Sequence, residues 1–446
     1  MNISYIFVQY KAVIFLSLFI YVLFWLIITI LKEAPIEIVH EYDTFTSNLD
    51  FILIYLSKCH INLLLIDPLV LDYLFVQQLS YKQLRKRLIT FGIFNDSLRL
   101  LEPIFSVNNF SVKLSNSDHV FIEYDQQIVH LAVLHLQNSY FLIRKNLLPL
   151  PSDVLLSYGD TLRVIEPQEA KFRRRKYRFS SPQNASHFLW LYNISEFIEC
   201  DHALTKEMET NYHLYQNTSQ LDLTIRPMRM ISNALNQLEK HHWLAGGTLL
   251  GWYRHCGLIP YTQDVDFGLF AEEYDESIRQ YFLGNSHVYL WGTLGLVNDS
   301  LEFRLHTGQF TFDLFWAYRE DDHRWCGYQV KRVKYRRIIP LLAKLCSGDL
   351  FGYRFTVPCS PIDYLNNEYG YNLWRKPLEK NYTWINVKYH SIWDDTLWMY
   401  AIRLYTRDGK PRTDKYAINW IANQLNSSPQ MLSTIRNILL RNSLNN

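Results

Sequence analysis

The sequence predicts a mixed α/β (α+β) protein in which two folded units follow an N-terminal membrane anchor. Three observations carry this: an uninterrupted apolar run at residues 12–31, a hairpin signal within residues 129–144, and a helix–glycine turn–strand succession between residues 225 and 318. At 446 residues, 48% of them hydrophobic, the chain can bury two sizeable cores. A formal net charge of +2 makes no global case for nucleic acid, and no nucleic-acid partner is expected. The basic run "KFRRRKYRF", Lys171 to Phe179, reads first as a solvated linker or a patch facing an anionic ligand or membrane.

The anchor is "AVIFLSLFIYVLFWLIITIL", Ala12 to Leu31, which contains no charge. About 20 apolar residues suffice to span a bilayer as a helix. The run ends in bulky residues and then Lys32 and Glu33, unlike a cleavage site, so a retained signal anchor is expected. Lys11 and Lys32 flank it equally, so charge does not orient it. Sequons at Asn95, Asn109, Asn184, Asn193, Asn217, Asn298, Asn381 and Asn426 all follow the span and fit a glycosylated lumenal body. The expected order is a cytoplasmic tail (1–11), anchor (12–31), stem (32–49), N-terminal lumenal unit (50–182), catalytic unit (183–400) and C-terminal helical extension (401–446). Six cysteines, Cys59, Cys200, Cys256, Cys326, Cys346 and Cys359, lack zinc spacing; disulfides and buried thiols both remain open.

In the first unit, Leu63 to Ile66 predict a buried strand ending at Asp67-Pro68, and "VHLAVLHLQNSYFLIR" predicts two strands joined by a polar turn. No chemical motif falls there, which suits acceptor or partner docking. The polar "FSSPQNA" (Phe179 to Ala185) predicts a linker. Beyond it, Ile231, Ala234, Leu235 and Leu238 mark one face of an amphipathic helix. Gly246-Gly247 breaks that pattern, a short helix is expected over Thr248 to His255, and "DVDFGLF" reads as a strand. "QFTFDLFWAY" resembles a buried central strand with one acid, Asp313.

Alternation places Asp264, Asp266 and Gly268 on one face of "DVDFGLF" and Val265, Phe267 and Leu269 on the other. Carboxylates about 7 Å apart along a strand repel unless a cation intervenes. Mg²⁺ or Mn²⁺, hard ions that take oxygen ligands and phosphates, would compensate them. Asp313 is the candidate third acid, as a metal ligand or a proton acceptor. Gly246, Gly247 and Thr248 would let backbone N–H groups approach a phosphate, and Arg254 would clamp it. Together these are parts of a phosphoryl-transfer site; a structural ion-pair cluster is the alternative.

"GGTLLGWYRHCGLIPYTQDVDFGLF" resembles the signature of the fukutin/LicD family of ribitol-phosphate and phosphocholine transferases. "LLIDPLVLD", "FIEC", "DSLEF", "FDLFWAYREDDHRWCG" and "VPCSPIDYLNNEYGYNLWRKP" are similar to family segments in the same order. The resemblance implies a single-pass type II Golgi membrane protein with a nucleotidyltransferase-like catalytic domain on a mixed sheet. It implies metal-dependent transfer of ribitol 5-phosphate from CDP-ribitol to an O-mannosyl glycan of dystroglycan-type glycoproteins, in company with other Golgi glycosyltransferases. Asp264, Asp266 and Asp313 then match the metal-binding acids, and Gly246, Gly247 and Arg254 the donor-phosphate frame. Lys331, Arg332 and Lys334 would reach the diphosphate or form a solvated face. Thr262 stands where broader members often carry a further acid, which leaves the number of metal ions open. Two alternatives remain: another CDP donor, such as CDP-choline, acting on another glycan, and an inactive glycan-binding scaffold.

Overall fold

The computed structural model describes residues 47–79, 86–106, 110–115, 118–145, 163–165, 172–174, 179–216, 221–377, 389–425 and 431–444. The expected anchor at 12–31, most of the basic run, and the sequons at Asn109, Asn217, Asn381 and Asn426 lie outside these residues. No helix among the described residues is long and apolar enough to cross a membrane.

The first unit opens with helix α1 (Ser47–Lys58). Its strands are β1 (Leu63–Leu65), β2 (Leu88–Phe94), β3 (Ser111–Ser115), β4 (His119–Tyr124), β5 (Gln127–Leu136), β6 (Phe141–Ile143), β7 (Arg163–Ile165), β8 (Phe172–Arg174) and β9 (Phe179–Pro182). They form one sheet in the order β3-β4-β5-β2-β1-β9-β8, with β6 on β5 and β7 on β6. β2 and β5 pair in parallel, and both are apolar nearly throughout, as a strand covered on two faces requires. After β1, Asp67 caps the short helix α2 (Pro68–Leu71), with its Oδ1 accepting from Val70 N at 3.2 Å and Pro68 in the first turn. The hairpin within residues 129–144 is the β5–β6 pair.

The predicted linker at Phe179 to Ala185 is corrected. Phe179–Pro182 is β9, paired in parallel with β1, and Ser181 is fully buried. Asn184 then caps α3 (Ala185–Asn193), from which Phe188 and Tyr192 pack into the first core while Trp190 packs against the second. The two units therefore meet across a shared helix, and the boundary at residue 182 moves past Asn193.

The second unit contains α4 (His202–Tyr212), α5 (Leu221–Gln237), β10 (His242–Leu244), α6 (Gly246–His255), β11 (Asp264–Phe270) and α7 (Glu276–Phe282). β12 (Tyr289–Leu296), β13 (Asp299–His306), β14 (Thr311–Arg319), β15 (Arg324–Val330) and β16 (Val333–Ile339) follow. A separate hairpin, β17 (Leu345–Leu350) and β18 (Tyr353–Pro358), leads into α8 (Pro361–Tyr369). β19 (Tyr389–Ile392), α9 (Asp395–Tyr400), β20 (Ile402–Leu404), α10 (Lys415–Leu425) and α11 (Met431–Leu444) complete the chain. The main sheet runs β19-β16-β15-β14-β13-β12-β20, with β11 parallel beside β14 and β10 on β11. β14 is thus interior, as its apolar run predicts. Ile231, Ala234 and Leu235 bury the expected face of α5.

The C-terminal boundary at residue 400 is also corrected: β20 pairs with β12, so the tail contributes an edge strand to the main sheet. Two disulfides form, Cys200–Cys256 and Cys346–Cys359, leaving Cys59 and Cys326 as thiols. Cys200–Cys256 ties the start of α4 to the end of α6, and Cys346–Cys359 staples the β17–β18 hairpin.

Candidate active site

The sheet brings the three expected aspartates to one face. Asp266 and Asp313 are register partners across the parallel β11–β14 pair, and Asp264 lies two residues before Asp266 on the same side. Val265 and Phe267, on the opposite face, are fully buried. Asp264 is exposed, Asp266 half-buried and Asp313 buried, so the acids descend from the rim into the sheet. Thr262, which stands in place of a further acid, donates its hydroxyl to Asp264 Oδ1 at 3.0 Å.

The Gly246-Gly247 turn seats Asp266 directly. Ala245 N donates to Asp266 O at 3.0 Å, and Asp266 N donates to Thr248 Oγ1 at 2.8 Å. Gly246 has φ of +53°, and a Cβ there would stand 2.5 Å from Asp266 Oδ2, so the position requires glycine on two counts. The N-terminus of α6, which no side chain caps, therefore abuts the carboxylate face.

Two half-buried arginines that the sequence reasoning missed complete the floor. Arg304 on β13 is the register partner of Asp313; its Nε and Nη2 meet the two carboxylate oxygens, each at 2.9 Å, and Nη2 also reaches Glu302 Oε1 at 3.0 Å. Burial pushes the Glu302 carboxyl up to about 8, against the pull of Arg304. Burial also raises Asp313, again opposed by Arg304. The signal was available: in "LEFRL", Glu302 and Arg304 share a strand face just as Asp264 and Asp266 do.

Arg337 on β16 is the other missed residue. Its Nη1 lies 2.6 Å from Glu368 Oε1, and Glu368 on α8 is almost wholly buried. The same Nη1 would be 3.3 Å from a Cβ on Gly246, which places this guanidinium beside Asp266. Asp266 is nevertheless held well above the usual carboxylate range, by burial first and then by Asp264 and Asp313; Arg337 opposes this only in part. The cleft encloses about 500 Å³ and is lined by these groups, the Gly246-Gly247 turn, Ile259, Phe315 and the tyrosines Tyr261, Tyr328, Tyr364 and Tyr369.

Three expected phosphate ligands go elsewhere. Arg254 is fully buried, its Nη1 donating to the Trp374 and Lys376 carbonyls at 2.7 and 3.1 Å. It is a structural staple at the far end of α6. Lys331 lies exposed at the β15–β16 turn. Lys334 pairs with Asp299 and covers the Trp393 ring at 4.2 Å. None of the three lines the cleft. Strand parity explains the exchange, since Arg337 and Lys334, three residues apart, face opposite sides of β16.

Among the described residues, the three aspartates do not form a closed cluster of ligand atoms within 4.8 Å of one another. Cys200, His202 and Cys256, at the other end of α6, do, but both sulfurs are spent in the disulfide. The donor chemistry still fits a hard cation at Asp264 and Asp266: two oxygen donors on one face, with excess negative charge that Arg337 does not balance. Asp313 differs, because Arg304 already engages both of its oxygens.

A mixed sheet carrying paired acids on one strand and a third on its parallel neighbour, beside a glycine-led helix N-terminus, defines a nucleotidyltransferase-type domain. Residues 239–360 match the LicD/FKTN/FKRP nucleotidyltransferase domain. The chain is 32% identical over 237 residues to mouse ribitol-5-phosphate transferase FKTN, an alignment covering 50% of each chain. The human protein of that name is 30% identical over the same shares. A Caenorhabditis elegans protein, T07A5.1, is 32% identical over 239 residues, 50% of this chain and 62% of its own. The aligned part thus spans about half the length of the curated mammalian relatives.

Proposed function

We propose that this chain is a transferase that moves ribitol 5-phosphate from CDP-ribitol to a hydroxyl of an O-mannosyl glycan. The observation that carries the reading is the face shared by Asp264, Asp266 and Asp313, abutting the N-terminus of α6. Phosphoryl transfer asks the protein mainly for positioning and for charge balance around the phosphate, and this cleft supplies both. Asp264 and Asp266 would hold Mg²⁺ or Mn²⁺, which when bound supplies charge neutralisation at the phosphate oxygens. Arg337 and the N-terminal N–H groups of α6 bind the diphosphate. The acceptor oxygen forms a bond to the ribitol-linked phosphorus, the bond to the CMP oxygen breaks, and CMP leaves. Asp313 receives the acceptor proton, with Arg304 fixing its carboxylate in place.

The reading places the chain in the Golgi membrane as a type II protein, anchored by residues 12–31. Support comes from that apolar run, from exposed sequon asparagines at Asn95, Asn193 and Asn298, and from two disulfides that suit an oxidising lumen. Asn184 is engaged as the cap of α3. The test is CMP release from CDP-ribitol with Mn²⁺ and a phosphorylated O-mannosyl glycan, comparing wild type with an Asp264→Ala/Asp266→Ala double variant. Equal rates would sink the mechanism, and a panel including CDP-choline checks the donor.

A further inference from the structure

Tyr261, Tyr371 and Leu373 stand 61%, 80% and 62% exposed, an apolar group that the acid site does not explain. Single exposed apolar residues are ordinary. Tyr371 and Leu373 lie on one segment that is held in place, and Tyr261 stands on the loop before β11. Arg254, beside Tyr261, donates to the Trp374 and Lys376 carbonyls, so one buried guanidinium holds the segment after α8 next to the loop before β11. That segment is also fixed from behind. Asn366 Oδ1 accepts from Asn372 N at 2.9 Å and from Trp374 Nε1 at 2.8 Å, and Tyr253 meets the Trp374 ring edge-on at 5.6 Å. Gly370, with φ of +93°, makes the turn out of α8. Tyr261 and Tyr369 line the cleft with Asp264 and Asp266, and the segment that carries Tyr371 and Leu373 leaves α8 directly after Tyr369. A segment pinned this firmly while offering apolar faces to solvent is preorganised for a ligand.

We propose that Tyr261, Tyr371 and Leu373 form the platform on which the acceptor saccharide packs, presenting one hydroxyl to the acids below. The proposal rests on the phosphotransfer reading above. A tyrosine ring gives a sugar's C–H face a flat apolar surface at little conformational cost, with a polar tip for its hydroxyls. Arg375 and Lys376, on the same segment, add positive charge for a phosphorylated saccharide.

The test measures binding of a phosphorylated O-mannosyl oligosaccharide to the full chain by titration calorimetry, without donor, so that no turnover is needed. Tyr371→Ala and Tyr261→Ala should each weaken binding at least tenfold with unchanged thermal transitions, whereas Tyr371→Phe should bind as the wild type. Tyr371→Glu should weaken it further by repelling the phosphate. Wild-type affinity in both alanine variants, or no binding by the wild type, overturns the platform. Tyr371-dependent glycan binding without CMP release from any CDP donor upholds the platform and overturns the phosphotransfer reading alone.

Discussion

Asp266 and Asp313 occupy the same rung of neighbouring parallel strands, and only Asp313 has an arginine across both of its oxygens. The two acids are therefore not equivalent. Asp313 is balanced by the fold itself, whereas Asp266 keeps a surplus of negative charge from Asp264 and Asp313. An Asp264→Asn/Asp266→Asn variant should accordingly melt a few degrees higher than wild type without metal, because repulsion is removed. It should also lose any rise in melting temperature on adding Mn²⁺. Thermal denaturation with and without Mn²⁺ reads both effects; a metal-dependent rise retained in the variant contradicts the assignment.

Arg304 holds two buried acids at once. Removing one partner from a buried ion pair typically costs about 3–5 kcal/mol. The Arg304 side chain is 34% exposed, so Arg304→Gln should show a smaller loss, about 1–3 kcal/mol, in urea denaturation, and adding Glu302→Gln should recover part of it. A loss under about 1 kcal/mol would mean that water already screens the group.

Gly246→Ala combines a positive φ with a Cβ placed against Asp266 Oδ2. Strain of this kind costs about 1–3 kcal/mol. The Asp266 carboxylate must also move, so CMP release should fall by more than the stability loss alone predicts. Thr248→Ser, which keeps the hydroxyl that accepts from Asp266 N, should stay near wild type.

Arg337→Gln should weaken binding of CDP about 10- to 100-fold, the loss of one or two charge-assisted contacts. Glu368→Gln leaves the guanidinium in place and should cost less. Calorimetric titration with CDP separates them; equal affinities in wild type and Arg337→Gln would remove Arg337 from the diphosphate site.

Burial brings His242 and His255 down from the ordinary 6.5 to about 4. Both stay neutral in the fold while the unfolded chain takes up protons near 6.5, so their contribution is full above that pH and is lost as pH falls toward 4. The loss is at most ~3 kcal/mol per histidine. Asp266 and Asp313 oppose it, since raised carboxyls favour the folded state as pH falls. The His242→Gln variant isolates the histidine: its unfolding free energy between pH 7 and 5 should fall less than that of wild type.

Period-two alternation in "DVDFGLF" was enough to put Asp264 and Asp266 on one face, and the apolar run around Asp313 was enough to make β14 interior. Which strands would be neighbours was not legible, because the Asp266–Asp313 rung is a tertiary pairing between segments 47 residues apart in number. Arg337 was hidden for the same reason. Lys331, Arg332, Lys334, Arg336 and Arg337 are alike in composition, and only the pairing of Cys326 with Arg337 turns one of them into the cleft. Arg254 misled in the opposite direction: near the end of the short helix it read as a phosphate clamp, and its burial depends on the Trp374 segment folding back 120 residues later. "FSSPQNA" read as a linker because polarity alone cannot reveal that Phe179 will sit beside Leu63.

β20 has a practical consequence. Trp398, Ile402, Leu404, Ile421 and Leu439 form a small core of their own against β12. A chain shortened at Tyr400 would strip that strand away and leave the outer backbone groups of β12 open to any passing strand. Such a fragment should precipitate while its acid site remains chemically intact, so the last residues act as a hem on the sheet, and solubility should track them more closely than turnover does.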